Sequence, residues 1–268
     1  IVPVEVVVSL KTASSSGQPL FFVPAIEGVI APFKTLAGEL NRPAWGFQCV
    51  EDSPLESVSA LANFYVKKMQ KIQSRGPYNI VGYSFGACIG FEMAVQLEKA
   101  GHKTNLTLID GSPDFLKLHS LELGKRATED TSEVIADGLR KALSYFVRQF
   151  NNKITFLQAY EMLKQLSTTD DVLNKVVEII NEPNVKSEDL KVAGLLFYKK
   201  LKVAFFYEPE KYNGNILLLR AQDNFVPLYN DYGLSKICNN VEVREIPGNH
   251  RSILVGKNAS QVANVLRL

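Results

Sequence analysis

The stretch YNIVGYSFGACIG, residues 78–90, constrains this chain more than any other. Tyr78, Ile80 and Val81 read as a buried strand. From Phe85 to Leu97, the apolar residues Cys88, Ile89, Phe91, Met93, Val95 and Leu97 cover enough of the surface for a largely buried helix. Between strand and helix stand Gly82, Ser84 and Gly86. A strand that turns straight into a helix brings backbone against backbone, and side chains at the tightest points would clash. Glycine has no Cβ and tolerates the dihedrals such a turn imposes. A lone G-x-S-x-G could arise by chance among 17 glycines, but the flanking strand and helix argue against chance. In this setting Ser84 stands at the apex with its hydroxyl exposed and is the candidate nucleophile. The backbone N–H of Phe85 points at a developing oxyanion, beside the positive end of the helix dipole.

The remaining chain reads as alternating strands and helices. PLFFVP, AWGFQC, NLTLID, NILLLRAQDN and VEVREIP are further strands, with helices over Pro32 to Leu40, Ser57 to Ile72 and at the C-terminus. A helix is also expected near Leu228. From Gly111 to Asn213 the pattern changes. Ile135, Leu139, Leu143, Phe146, Val147 and Phe150 repeat at helical spacing, as do Leu173, Val176, Val177 and Ile180, and a third helix runs from Glu188 to Tyr207. The expected class is α/β, a mostly parallel sheet flanked by helices with an all-helical insertion, or lid. Its expected boundaries are an extension or linker over 1–19, a core of 20–113 and 214–268, and an insertion over 114–213.

Composition removes several classes. A net charge of +2, with no basic run interleaved with aromatics, gives no case for nucleic acid. No apolar stretch is long enough for a membrane span. Cys49, Cys88 and Cys238 lie in apolar segments without framework spacing and read as reduced core thiols of a cytoplasmic protein. No CxxC or His-rich pattern suggests a metal. The first residues, IVPVEVVVSL, lack a starting Met and the charged region of a signal peptide, so a domain embedded in a longer polypeptide is expected.

A serine hydroxyl needs a base, and the base needs an orienting acid. His102 and His119, two of the three histidines, read as surface residues. His250, in PGNHRSIL between the last strand and the last helix, lies where residues after strand ends gather at one face of a parallel sheet. The chain order serine, acid, histidine matches the α/β-hydrolase arrangement. Two acids fit that order, Asp110 after NLTLID and Asp223 in RAQDNFVP, and spacing alone leaves both open.

From about Leu20 onward the chain resembles the thioesterase domain of animal fatty acid synthase. The resemblance rests on IEG at 26–28, GFQC at 46–49, GPYNIVGYSFGAC with GFEM, DGSP at 110–113, FYKKL at 197–201, KYNGNILLLRA and GNHRSIL. It departs at Pro24-Ala25, where the family carries His-Pro, and around Asp223. The resemblance implies hydrolysis of a long-chain acyl thioester on the phosphopantetheine of an acyl carrier protein, in the same polypeptide, releasing a free fatty acid without metal or organic cofactor. It implies Asp110 as the acid, with Asp223 as runner-up, and the N–H of Ile26 as second oxyanion donor. Glu27 and Arg251 are either solvated loop charges or an ion pair positioning the Ile26 loop. The insertion would supply an acyl-chain groove, with Phe146, Phe150, Phe197 and Phe205 as candidate lining or as the insertion's own core. Alternatives are a releasing, cyclising or editing thioesterase of polyketide or nonribosomal peptide assembly, a general carboxylesterase, and a catalytically silent lipid binder.

Overall fold

The computed structural model of the protein describes residues 2–11, 17–124, 132–223 and 229–267, without the side chains of 119–124 and 132–136. Two compact units result: Pro3–Lys117 with Tyr207–Leu268, and a smaller one built on Leu118–Phe206. Within the insertion expected over 114–213, residues 114–117 and Tyr207–Asn213 group with the larger unit instead.

The larger unit is organised on a seven-stranded sheet. Its strands are β1 (Val7–Lys11), β2 (Leu20–Val23), β3 (Ala44–Phe47), β4 (Tyr78–Tyr83), β5 (Thr104–Ile109), β6 (Tyr212–Ala221) and β7 (Cys238–Ile246), in the order β1-β3-β2-β4-β5-β6-β7. All neighbours run parallel except β1, which pairs antiparallel with β3. Residues 7–11 therefore belong to the sheet, not to a linker. None of them is fully buried, as befits an edge strand, so VVSLK lacks the unbroken apolar run that marks a central one.

Four helices cover the sheet: α1 (Lys34–Glu39), α2 (Val58–Ile72), α3 (Phe85–Lys99) and, last in the chain, a helix over Gly256–Leu266. Phe22, Val81, Ile109 and Leu219 face a core shared with Phe33, Leu36 and Ala37 and with Val262, Ala263 and Leu266 of the last helix. On β2 and β3, Phe21 and Phe47 stack with centroids 6.2 Å apart, and Phe47 stacks on Tyr65 of α2 at 4.7 Å. Burial on both faces explains why LFFV and YNIVGY read as continuous runs instead of alternating ones. Buried Glu92 ties α3 to its surroundings, accepting from Ser59 Oγ of α2 at 2.7 Å and from Tyr207 at 2.5 Å.

The helix α4 (Pro113–Gly124) leads out of this unit. The smaller unit holds α5 (Ser132–Phe150), α6 (Phe156–Leu163), α7 (Thr169–Ile180) and α8 (Ser187–Phe205); the Gly256–Leu266 helix is thus α9. The sequence reading has no α6, whose start is a Thr155–Gln158 capping box. Phe146 and Phe197 are buried with ring centroids 5.6 Å apart, so both are core residues of the unit, whereas Phe150 is partly exposed. Leu228 lies outside the described residues. Among those described, no helix is long and apolar enough to cross a membrane.

The parallel register aligns the strand ends: Tyr83 lies beside Ile109, and Ile109 beside Leu219. Two glycines let α3 start directly above them. A Cβ on Gly82 would lie 2.3 Å from Gly86 O, and one on Gly86 would lie 2.1 Å from Val23 O and 2.5 Å from Pro24 O. These neighbours are backbone atoms and cannot swing aside. Gly86→Ala should destabilise the fold by about 3 kcal/mol. Gly38→Ala in α1, where a Cβ meets nothing within 4 Å, should be neutral or stabilising by up to about 1 kcal/mol. Urea unfolding of both variants checks the contrast.

Candidate active site

Ser84 leaves β4 and opens α3 with φ 55° and ψ −118°, a left-handed conformation uncommon outside glycine. Asp110 follows β5, is completely buried and has φ 45°. His250 lies in the loop between β7 and α9. The three side chains meet. His250 Nε2 is 2.9 Å from Ser84 Oγ, and His250 Nδ1 is 2.7 Å from Asp110 Oδ2. Asp110 Oδ1 accepts from the Ala221 N–H at 2.8 Å and from the Tyr232 hydroxyl at 2.7 Å.

Burial pushes the Asp110 carboxyl up. Hydrogen bonds from His250 and Tyr232, the electrostatic pull of the His250 ring and the Ala221 N–H outweigh it and hold the carboxyl below its ordinary value. An ionised carboxylate only accepts, so Nδ1 carries the imidazole proton and Nε2 is left to accept from the Ser84 hydroxyl. That is the tautomer a general base needs.

The imidazole is held from other directions as well. The Tyr83 hydroxyl donates to the His250 carbonyl at 2.6 Å. Burial pushes this phenol far above its usual range, with Glu27 and Asp110 adding and Arg251 opposing, so Tyr83 stays a neutral donor. The Tyr83 and Phe115 rings lie 5.3 and 5.4 Å from the His250 ring. Buried Ser112 starts α4, accepting from the Phe115 N–H at 3.0 Å while donating to the Tyr232 carbonyl at 2.7 Å.

Phe85 is the first residue of α3, and a helix's first-turn N–H groups have no acceptor within the helix. Ile26 lies half-buried in a turn closed by the Gly28 N–H on Ala25 O at 2.9 Å. The segment leading into that turn, Val23-Pro24, presses on Gly86. The Phe85 N–H thus opens the first turn of α3, and Ile26 follows two residues after the backbone that packs on Gly86.

The other candidates are placed differently. Asp223 is exposed beyond β6, its backbone N–H bonded to Gly248 O at 2.9 Å, and it is Asp110 that occupies His250 Nδ1. Glu27 and Arg251, both among the described residues, are exposed and form no ion pair with each other. Each loop is instead tied locally, the Gly28 N–H to Ala25 O at 2.9 Å and the Arg251 N–H to the side-chain Oδ1 of Asn249 at 3.0 Å. His102 packs edge-on against Tyr78 at 5.5 Å, and the His119 side chain lies outside those described. Tyr83, Ser112, Phe115 and Tyr232 are absent from the sequence reading. Tyr83 and Ser112 lie inside the quoted stretches and were within reach. Tyr232 is 122 residues from Asp110 and carries no local signal.

Comparison with known proteins bears on the family and the fold. The family model described as thioesterase domain matches residues 18–267. Indigoidine synthase of Streptomyces lavendulae is 38% identical over 129 residues, 45% of this chain and 10% of that protein. A dimodular nonribosomal peptide synthase of Bacillus subtilis (strain 168) is 25% identical over 274 residues, 98% of this chain and 11% of that protein. The chain thus spans about a tenth of the length of these relatives. Among solved structures, the NocB thioesterase domain in covalent complex with a fluorophosphonate nocardicin G analog superposes with a TM-score of 0.64 at 21% identity, covering 98% of each chain. The thioesterase domain of surfactin cyclisation, SrfTE, superposes at 0.60 and 18% identity over 98% of this chain and 94% of that one. These superpositions show the shared α/β thioesterase fold. On the match of nearly its whole length to the family model, the chain belongs to the thioesterase domain family.

Proposed function

We propose that this thioesterase releases an acyl group from the phosphopantetheine thioester of a carrier protein through a covalent acyl-enzyme on Ser84. The observation that carries the reading is the unbroken hydrogen-bond chain from Ser84 Oγ through His250 to Asp110. His250 Nε2 takes the hydroxyl proton as Ser84 Oγ attacks the thioester carbonyl. The Phe85 and Ile26 N–H groups hold the oxyanion. As the C–S bond breaks, the imidazolium returns the proton to the departing thiolate. A water then gives its proton to His250 and attacks the ester, and Ser84 regains the proton as the free acid leaves. Asp110 stays ionised throughout and keeps Nδ1 protonated. Glu27 and Arg251 line the approach to Tyr83 as separate charges. No metal or organic cofactor is required by these steps.

Two acyl classes have support. The stretches that resemble the fatty acid synthase thioesterase suggest a long-chain fatty acyl group, the class that the comparisons favour less. The curated relatives, among them polyketide and nonribosomal peptide synthases, favour a polyketide or peptidyl group released by water or by cyclisation. As those relatives far exceed this chain in length, they also support a carrier domain as partner within a longer polypeptide. A panel of carrier-bound thioesters separates the two. On the fatty acyl reading, kcat/KM rises about fourfold per added methylene over the preferred range, since each buried methylene contributes about 0.8 kcal/mol. A flat response to chain length, with preference for β-oxygenated or peptidyl thioesters, selects the second reading.

The residue assignments are tested with whichever thioester turns over. Ser84→Ala should lower kcat by about 10⁶-fold. Asp110→Asn should lower it by roughly 10³- to 10⁴-fold. Asp223→Asn should stay within about twofold of wild type, as exposed surface substitutions do. The reverse order of the two aspartate variants would move the acid to Asp223.

A further inference from the structure

Among the described residues, four that are not glycine have positive φ: Ser84, Asp110, Asn181 and Tyr232. Asn181 caps α7, an ordinary use of this conformation. The other three lie along one hydrogen-bond path, Ser84 to His250 to Asp110 to Tyr232. A buried tyrosine at φ 55° is a strained choice, where glycine or asparagine would fit more readily. Yet the surroundings hold it there. Its carbonyl accepts from Ser112 Oγ, its N–H donates to Tyr229 O at 2.9 Å, and its ring packs 5.0 Å from Phe115, which itself faces His250.

We propose that Tyr232 is a positioning residue of this site, its hydroxyl deciding which oxygen of Asp110 faces His250. The inference rests on the acyl-enzyme reading above. A carboxylate rotates about a broad, nearly two-fold torsion. Two donors from different elements, Tyr232 Oη–H and Ala221 N–H, seize Oδ1 and leave Oδ2 for Nδ1. The phenol also replaces water at a carboxylate with no exposed surface. Without it, the Ala221 N–H is the one donor left on Oδ1 among the described residues, and the carboxylate can turn away from the imidazole. The strained backbone delivers the hydroxyl to that point.

The test uses Tyr232→Phe, which keeps the ring and removes one oxygen. All rates are measured at a temperature where circular dichroism shows the variant fully folded. Removing such a supporting contact is expected to lower kcat by about 10-fold with KM within about twofold. In an Asp110→Asn background the same change should add no further loss, because the carboxylate it positions is already gone. Wild-type kcat in Tyr232→Phe, an equal fractional loss in both backgrounds, or a variant with no folded temperature range would each overturn the proposal. Fluorophosphonate labelling of the wild type separates the underlying reading. If wild type neither labels at Ser84 nor turns over, the acyl-enzyme account fails and Tyr232 loses its role with it. If wild type does both and Tyr232→Phe matches it, only the proposal about Tyr232 fails.

Discussion

The approach of one backbone to another at the start of α3 sets everything that happens at this site. Gly86 lies so near Val23 O and Pro24 O that no side chain fits, and Gly82 meets Gly86 in the same way. This contact lets a helix begin where a central strand ends. It lifts Ser84 Oγ above the strand ends instead of burying it in the sheet. It also brings the β2 exit, Val23-Pro24, against Gly86 in the first turn of α3, two residues before Ile26.

Around that contact the chain assembles a base and an acid from distant segments. The sheet supplies the alignment, since parallel strands end together and the loops that follow them share one edge. What holds the imidazole is a set of local bonds. Asp110 fixes its tautomer, the Tyr83 hydroxyl fixes its backbone carbonyl, and two aromatic rings limit its tilt. Burying an ionised Asp110 would be prohibitive by itself. It is tolerated because both oxygens are bonded, one to His250 and the other to two donors. Of the four described residues other than glycine with positive φ, three, Ser84, Asp110 and Tyr232, belong to this network.

Much of this was legible in the residues. G-x-S-x-G announced itself through its flanks, because the pattern switches from a strand's apolar run to a helix's within a few residues. His250 followed from having only three histidines and one at a strand end. The acid did not follow from pattern. Asp110 and Asp223 both end strands, and what separates them is burial, which neither local sequence displays. Nor did the sequence betray β1, an edge strand of mixed burial, or α6, whose eight residues are too few for a clear period. Adjacency to converging elements left Glu27 and Arg251 open between solvated charges and an ion pair, and both are exposed without pairing to each other. Tyr232 was beyond reach, because its role arises only when a turn far along the chain folds onto α4.

The most direct measurement is to catch the intermediate. Rapid acid quench after mixing the protein with a carrier-bound or pantetheine acyl thioester, followed by intact mass and peptide mapping, reads where the acyl group rests. The account predicts a transient mass increase equal to the acyl group, confined to the peptide containing Ser84 and decaying as free acid appears. Steady release of acid with no adduct at any time, in conditions where deacylation has been slowed, would contradict it. So would an adduct on any other residue.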